Sequence, residues 1–242
     1  MRREYHKWCS LNLHREMELL VFGHAGARVL VFPTRVGRFF DFENWGLVNS
    51  LRDTINAGNL QLICIDSVDA ESLYCNWAHP RGRIERHQQF ENYVMQEVLP
   101  FSESINPERF LIAHGCSFGA YHAANFAFRH PKHFHKVVAL SGRYDITQQV
   151  EGFRNLLDDY YDQDVYFHNP SHYVPNLTDE SHLRPLREME ITFAIGEHDP
   201  FIANNHFMSA ILWAKGAWNS LNVWPGRAHR ARYWRQMLPI YL

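Results

Sequence analysis

Residues 110–131, FLIAHGCSFGAYHAANFAFRHP, join an apolar run fit for a buried strand directly to an alanine-rich run fit for a helix. The joint is Gly115-Cys116-Ser117-Phe118-Gly119. A chain that passes so abruptly from strand to helix must bend sharply at its middle residue while other backbone comes close on either side. Small flanking residues permit both, and glycine is the smallest. GxSxG at such a joint is the pattern of a nucleophile elbow, which lifts a serine Oγ above the carboxyl end of a sheet. A serine acting only as a helix N-cap needs neither glycine. Cys116 occupies the variable position and is expected to point away from whatever faces Ser117.

The remaining elements fit that joint. REYHKWCSL and EMELLVFG read as an antiparallel hairpin, and RVLVFPT, after a turn at HAGA, as a strand that ends at Pro33. Residues 44–59 carry Trp45, Leu47, Leu51 and Ile55 at helical spacing, with Gly58 as a C-cap. LQLICIDS is a short buried strand. In 83–101, Ile84, Phe90, Tyr93, Val94 and Val98 share one helical side, and Pro100 signals the end of that helix. Strands RFLIAHG, KVVALSG, EITFAIG and SLNVWPG then alternate with helices over 117–129, 204–216 and 232–242. Strand-helix alternation predicts a mostly parallel sheet covered on both faces, with ligands beyond the carboxyl ends of its strands. One domain over 1–242 is expected, with an irregular insertion rich in Asp, Tyr and His at about 144–187.

Charge and cysteine usage narrow the partners. The formal net charge of −2 gives no electrostatic reason to expect nucleic acid or an anionic membrane, so a small molecule is the expected partner. No apolar stretch approaches the ~18 residues of a membrane span, and MRREYHKWCS has no apolar segment behind its basic residues. The reading is a cytoplasmic protein of open oligomeric state. Cys9, Cys64, Cys75 and Cys116 form no CxxC pair, which argues against a zinc site and for reduced thiols.

A serine nucleophile requires a base, and in this architecture the chain order is serine, acid, histidine. His229 follows the last strand in LNVWPGRAHRARYW and so falls at the carboxyl edge of the sheet. For the acid, AIGEHDPF offers Glu197 and Asp199. Asp199 is favoured, because Gly196 lets the chain turn and Pro200 fixes the next step; Asp145 in SGRYD is the runner-up. The oxyanion that forms on acyl transfer needs two donors. The Phe118 backbone N–H is one, and the backbone N–H of Thr34 or Arg35, in the loop after VLVFP, is the other.

With these residues placed, the chain resembles the putative esterase group of the α/β-hydrolase superfamily, relatives of esterase D, feruloyl esterases and bacterial mycolyltransferases. The likeness covers nearly the whole chain and is carried by VLVFPTRVGRFFDF, GCSFGAYHAANFAFRHP, SGRYDI, GEHDP and AHRARYWRQMLP. In the last motif Trp234, Leu238 and Pro239 match the group, whereas Arg230, Ala231 and Arg232 replace the acidic or polar residue and tryptophan that follow its histidine. The resemblance implies an eight-stranded α/β-hydrolase core and a serine esterase without metal or organic cofactor. Phe39, Trp77 and Trp234 are candidates for lining the substrate pocket, together with Arg35 and Phe40. An acyltransferase using the same acyl-serine, or a noncatalytic binding protein on the same fold, are the competing functions.

Overall fold

A computed structural model describes all residues, 1–242. Its eight strands are β1 (Arg3–Ser10), β2 (Arg15–Phe22), β3 (Ala27–Phe32), β4 (Leu60–Ile65), β5 (Leu111–Cys116), β6 (Lys136–Leu140), β7 (Glu190–Gly196) and β8 (Asn219–Trp224). They form one sheet in the order β1-β2-β4-β3-β5-β6-β7-β8. β2 is antiparallel to both its neighbours, and from β4 to β8 every pairing is parallel. The mostly parallel sheet is the one expected from the alternation of strands and helices, and its eight strands are those of the α/β-hydrolase core that the resemblance implies.

Side-chain alternation divides the core between the two faces. Leu30 and Phe32 of β3, Ile63 and Ile65 of β4 and Val137 and Ala139 of β6 join one apolar cluster. Val29 and Val31, Leu62 and Cys64, and Val138 and Leu140 join the other. Period-two alternation on a sheet apolar on both sides requires helices on both sides. The helices are α1 (Asp41–Asn44), α2 (Leu47–Ser50), α3 (Arg52–Asn56), α4 (Pro80–Tyr93), α5 (Leu99–Ile105), α6 (Phe118–Arg129), α7 (Gln163–Phe167), α8 (Pro170–Tyr173), α9 (Glu180–Glu188), α10 (Ile202–Ala214) and α11 (Ala231–Tyr241). Those supplying the first cluster include α4, α6, α9 and α10, while α1, α2, α3 and α11 supply the second. The outer strand β1 carries the charged residues Arg3, Glu4 and Lys7, which discourage further strand pairing.

Two local expectations change. The helix expected over 44–59 is divided into short pieces, because Gly46 is left-handed (φ 71°) and Leu51, at φ −107° and ψ 7°, interrupts the turn between α2 and α3. The apolar spacing survives this, since Leu47, Leu51 and Ile55 still face the sheet. Pro100 does not end its helix. The turn before it, Val94–Val98, widens to π geometry, and the chain continues as α5 to Ile105. A proline lacks the N–H that a regular helix spends on residue i−4, and the wide turn absorbs that loss.

The strand order reverses around β3. From β3 the chain moves to β4 on one side, whereas from β5 it proceeds to β6 on the other. The loop after β3 and the bend after β5 therefore part at the carboxyl end of the sheet and leave a crevice, the position where open parallel sheets hold ligands. No helix is long and apolar enough to cross a membrane.

Candidate active site

Ser117 stands between β5 and α6 with φ 57° and ψ −120°, a backbone conformation that costs a non-glycine residue about 1–3 kcal/mol. Its N–H donates to the Leu140 carbonyl (2.8 Å) at the end of β6, which fixes the bend to the sheet. Both flanking glycines are sterically required. A Cβ on Gly115 would lie 2.1 Å from the Gly119 carbonyl oxygen, and one on Gly119 would lie 2.4 Å from that of Phe32. The second contact sets the start of α6 directly against the end of β3, so Phe118 and the Thr34–Arg35 loop are neighbours. Cys116 is buried in the core cluster beneath α11, and burial pushes its thiol well above the ordinary range. It is no competitor for nucleophile.

The His229 Nε2 lies 2.9 Å from Ser117 Oγ, and its Nδ1 lies 2.6 Å from Asp199 Oδ2. Asp199 is buried, and its second oxygen accepts from the Phe201 N–H (3.0 Å). The loops after β7 and β8 are bonded to one another: the Glu197 N–H donates to the Trp224 carbonyl and the His198 N–H to that of Gly226. Gly196 permits this approach, since a Cβ there would meet the Arg227 carbonyl oxygen at 2.1 Å. Trp234 supports the imidazole loop from α11. Its Nε1 donates to Ser141 Oγ (3.1 Å), Ser141 donates to the Ala228 carbonyl (3.4 Å), and its ring lies 5.7 Å from that of His229.

Asp145, the runner-up acid, is engaged elsewhere. Its carboxylate accepts from Thr147, Gln148 and Asn169 and lies 3.2 Å from His172 Nε2. Burial alone would raise its pKa, but the bonds from His172 and Thr147 hold it well below the usual carboxylate range.

Ser117 and His229 open into a cavity of about 410 Å³, also lined by Thr34, Arg35, Phe118 and Trp234. Three pocket assignments change, Phe40 being the first, since it packs edge to face on Phe39 and does not line the cavity. Phe39 is buried in the core and packs on Tyr5 and Phe40, and Trp77 is 89% exposed on the loop before α4; neither lines the cavity. Tyr74, Arg143, Phe153 and Phe201 line it instead. Burial pushes the Tyr74 phenol up to about 12, and its ring meets that of Phe118 edge to face at 4.9 Å.

Sequence reasoning also missed a brace beneath the Thr34–Arg35 loop. Val36 is β-branched yet held at φ 54°, and its N–H donates to Asp69 Oδ2 (3.0 Å). Asp69 is buried, and its other oxygen bonds His122 Nε2 of α6 at 3.0 Å. One carboxylate thus ties the loop after β3 to the helix that carries the elbow. Asp69→Ala is expected to lower kcat on an activated ester by up to about 10²-fold, with KM changed less, since a displaced oxyanion donor costs on that order. Asp69→Asn keeps an oxygen for Val36 and should retain more activity. Unchanged kcat in Asp69→Ala would show that the loop needs no such brace.

The model of the family described as Putative esterase matches residues 42–238. The chain belongs to this family. It is therefore a carboxylic ester hydrolase. Among solved structures, a ferulic acid esterase is similar with a TM-score of 0.74 at 17% identity, over 98% of this chain and 95% of that one. An S-formylglutathione hydrolase from Agrobacterium tumefaciens gives 0.75 at 15%, over 98% and 91%. Fluorophosphonate-binding serine hydrolase F of Staphylococcus aureus gives 0.70 at 17%, over 98% and 95%. A comparison with curated protein sequences finds no match.

Proposed function

We propose that this esterase cleaves a small-molecule carboxylic ester through an acyl-enzyme on Ser117, with His229 as base and Asp199 as its orienting acid, all within one domain spanning 1–242. The observation that carries the reading is the unbroken chain of contacts from Ser117 Oγ through both imidazole nitrogens to a buried carboxylate. Asp199 fixes the tautomer with the proton on Nδ1, which leaves Nε2 free to accept the serine proton. As Ser117 Oγ bonds to the acyl carbon, charge develops on the carbonyl oxygen. The backbone N–H of Phe118, with that of Thr34 or Arg35, receives it. The first turn of α6 adds a favourable dipole. The ester C–O bond then breaks, and His229 returns the proton to the departing alcohol. Water, deprotonated by the same nitrogen, releases the acid and regenerates the serine.

The test is a panel of activated esters of graded acyl length, run in ¹⁸O-labelled water with alcohols present as competing acceptors. The expected product is free acid carrying one labelled oxygen. Transesterified product in place of free acid would make the protein an acyltransferase on the same acyl-serine, and no turnover of any ester would favour a binding protein.

A further inference from the structure

Twelve of the twenty arginines lie within 4.0 Å of a carboxylate oxygen. Of the eight that do not, five surround His229. Arg35 and Arg143 line the cavity that holds Ser117. Arg227, Arg230 and Arg232 line a second cavity of about 410 Å³ that shares His229 with the first. In a chain with a net charge of −2, this places unpaired positive charge on both sides of one imidazole.

Arg227, Arg230 and Arg232 are exposed, and two features beside them separate the site from an ordinary solvated surface. Arg143 is only 4% exposed, stands over the Phe201 ring (5.0 Å), and donates to the carbonyls of Asp145 and Gln148 and, at 3.4 Å, Arg154. One buried Nη of Arg143 has no hydrogen-bond partner, and burial lowers its pKa although the Tyr74 and Asp145 charges act against that; no carboxylate oxygen is in direct contact with it. Burying a guanidinium without a counter-ion is costly, and an anion that enters with the ligand would offset that cost. The carboxylates nearby are already engaged. Asp41 accepts from the Arg38 N–H, Asp199 holds His229, and Glu197 accepts from the Gly226 N–H.

The chemistry of the step says which half of an ester meets the second cavity. His229 Nε2 must deliver its proton to the leaving oxygen, so the alcohol half departs on the imidazole side. We infer that the ester cleaved here carries a carboxylate or phosphate on its alcohol half, recognised by Arg227, Arg230 and Arg232, so that the product is an anionic alcohol. The inference rests on the esterase mechanism proposed above. Guanidinium groups match both oxyanions through paired N–H donors, and Arg143 and Arg35 strengthen the attraction from the acyl side.

The test compares kcat/KM for four esters, each corrected for its rate with hydroxide: 4-acetoxybenzoate, its neutral methyl ester, 4-acetoxyphenyl phosphate, and a hemisuccinate of the methyl ester's phenol, which moves the charge to the acyl half. Wild type is expected to favour one or both esters with an anionic alcohol over the neutral one by on the order of tenfold, and less so at high salt. The ratio of carboxylate to phosphate ester tells which anion is preferred. In an Arg230→Gln/Arg232→Gln double variant the anion-to-neutral ratio should fall toward one, while Arg109→Gln, an unpaired arginine lining neither cavity, should leave it unchanged. Good turnover of the neutral ester with no anion preference would overturn the inference and leave the esterase mechanism standing. Preference for the hemisuccinate would overturn the placement on the alcohol half. Failure with all four would remove the mechanism and the inference together.

Discussion

Replacing Ser117 by alanine is expected to lower ester turnover by on the order of 10⁴-fold or more, with little change in stability. The loss is large because removing Oγ removes the atom that accepts the acyl group, and nothing nearby can substitute. Cys116 is adjacent in sequence but buried beneath α11 with its thiol held well above the ordinary range. Stability should change little, because alanine keeps the N–H that bonds the Leu140 carbonyl and the backbone path that sets the φ of 57°. The measurement is kcat/KM on one activated ester beside a thermal melt. Activity within tenfold of wild type would take Ser117 out of the reaction.

The second large effect is expected at Asp199. Asp199→Asn preserves size but presents an amide where a carboxylate accepts the Nδ1 proton at 2.6 Å. If the amide NH₂ turns toward His229, the imidazole keeps its proton on Nε2, the nitrogen 2.9 Å from Ser117 Oγ, and can no longer accept one. A triad with this substitution loses about 10⁴-fold in kcat. The Phe201 N–H can still be satisfied by the amide oxygen, so the fold of the loop should hold. Asp145→Asn is the control, because its carboxylate serves Thr147, Asn169 and His172 on the insertion. A larger loss in kcat in that variant than in Asp199→Asn would reverse the assignment of the acid.

Chain order and element type carried much of this into the sequence. GxSxG at a strand-to-helix joint fixes both where Ser117 sits and why two glycines flank it, since local steric demands are written locally. His229 and Asp199 were legible because each follows a strand of a parallel sheet, and parallel strands end on one side. Residues that act through tertiary contact left no comparable signal. Asp69 reaches Val36 across 33 positions, and Arg143 enters the cavity because its neighbours in 145–154 offer carbonyls to its guanidinium. Phe39 and Trp77 show the converse: an aromatic in a plausible loop belongs as readily to the core or to solvent as to a pocket. The net charge of −2 described the whole surface and concealed the five unpaired arginines around His229.

The central claim is that Ser117 is made nucleophilic by its contact with His229. Its most direct test is the rate of labelling by a fluorophosphonate probe, with the modified residue located by peptide mass spectrometry. The claim predicts one adduct per chain on Ser117 in wild type, none in Ser117→Ala, and labelling slowed by orders of magnitude in His229→Ala. An adduct on another residue, or labelling of Ser117 at an unchanged rate without the imidazole, would contradict it.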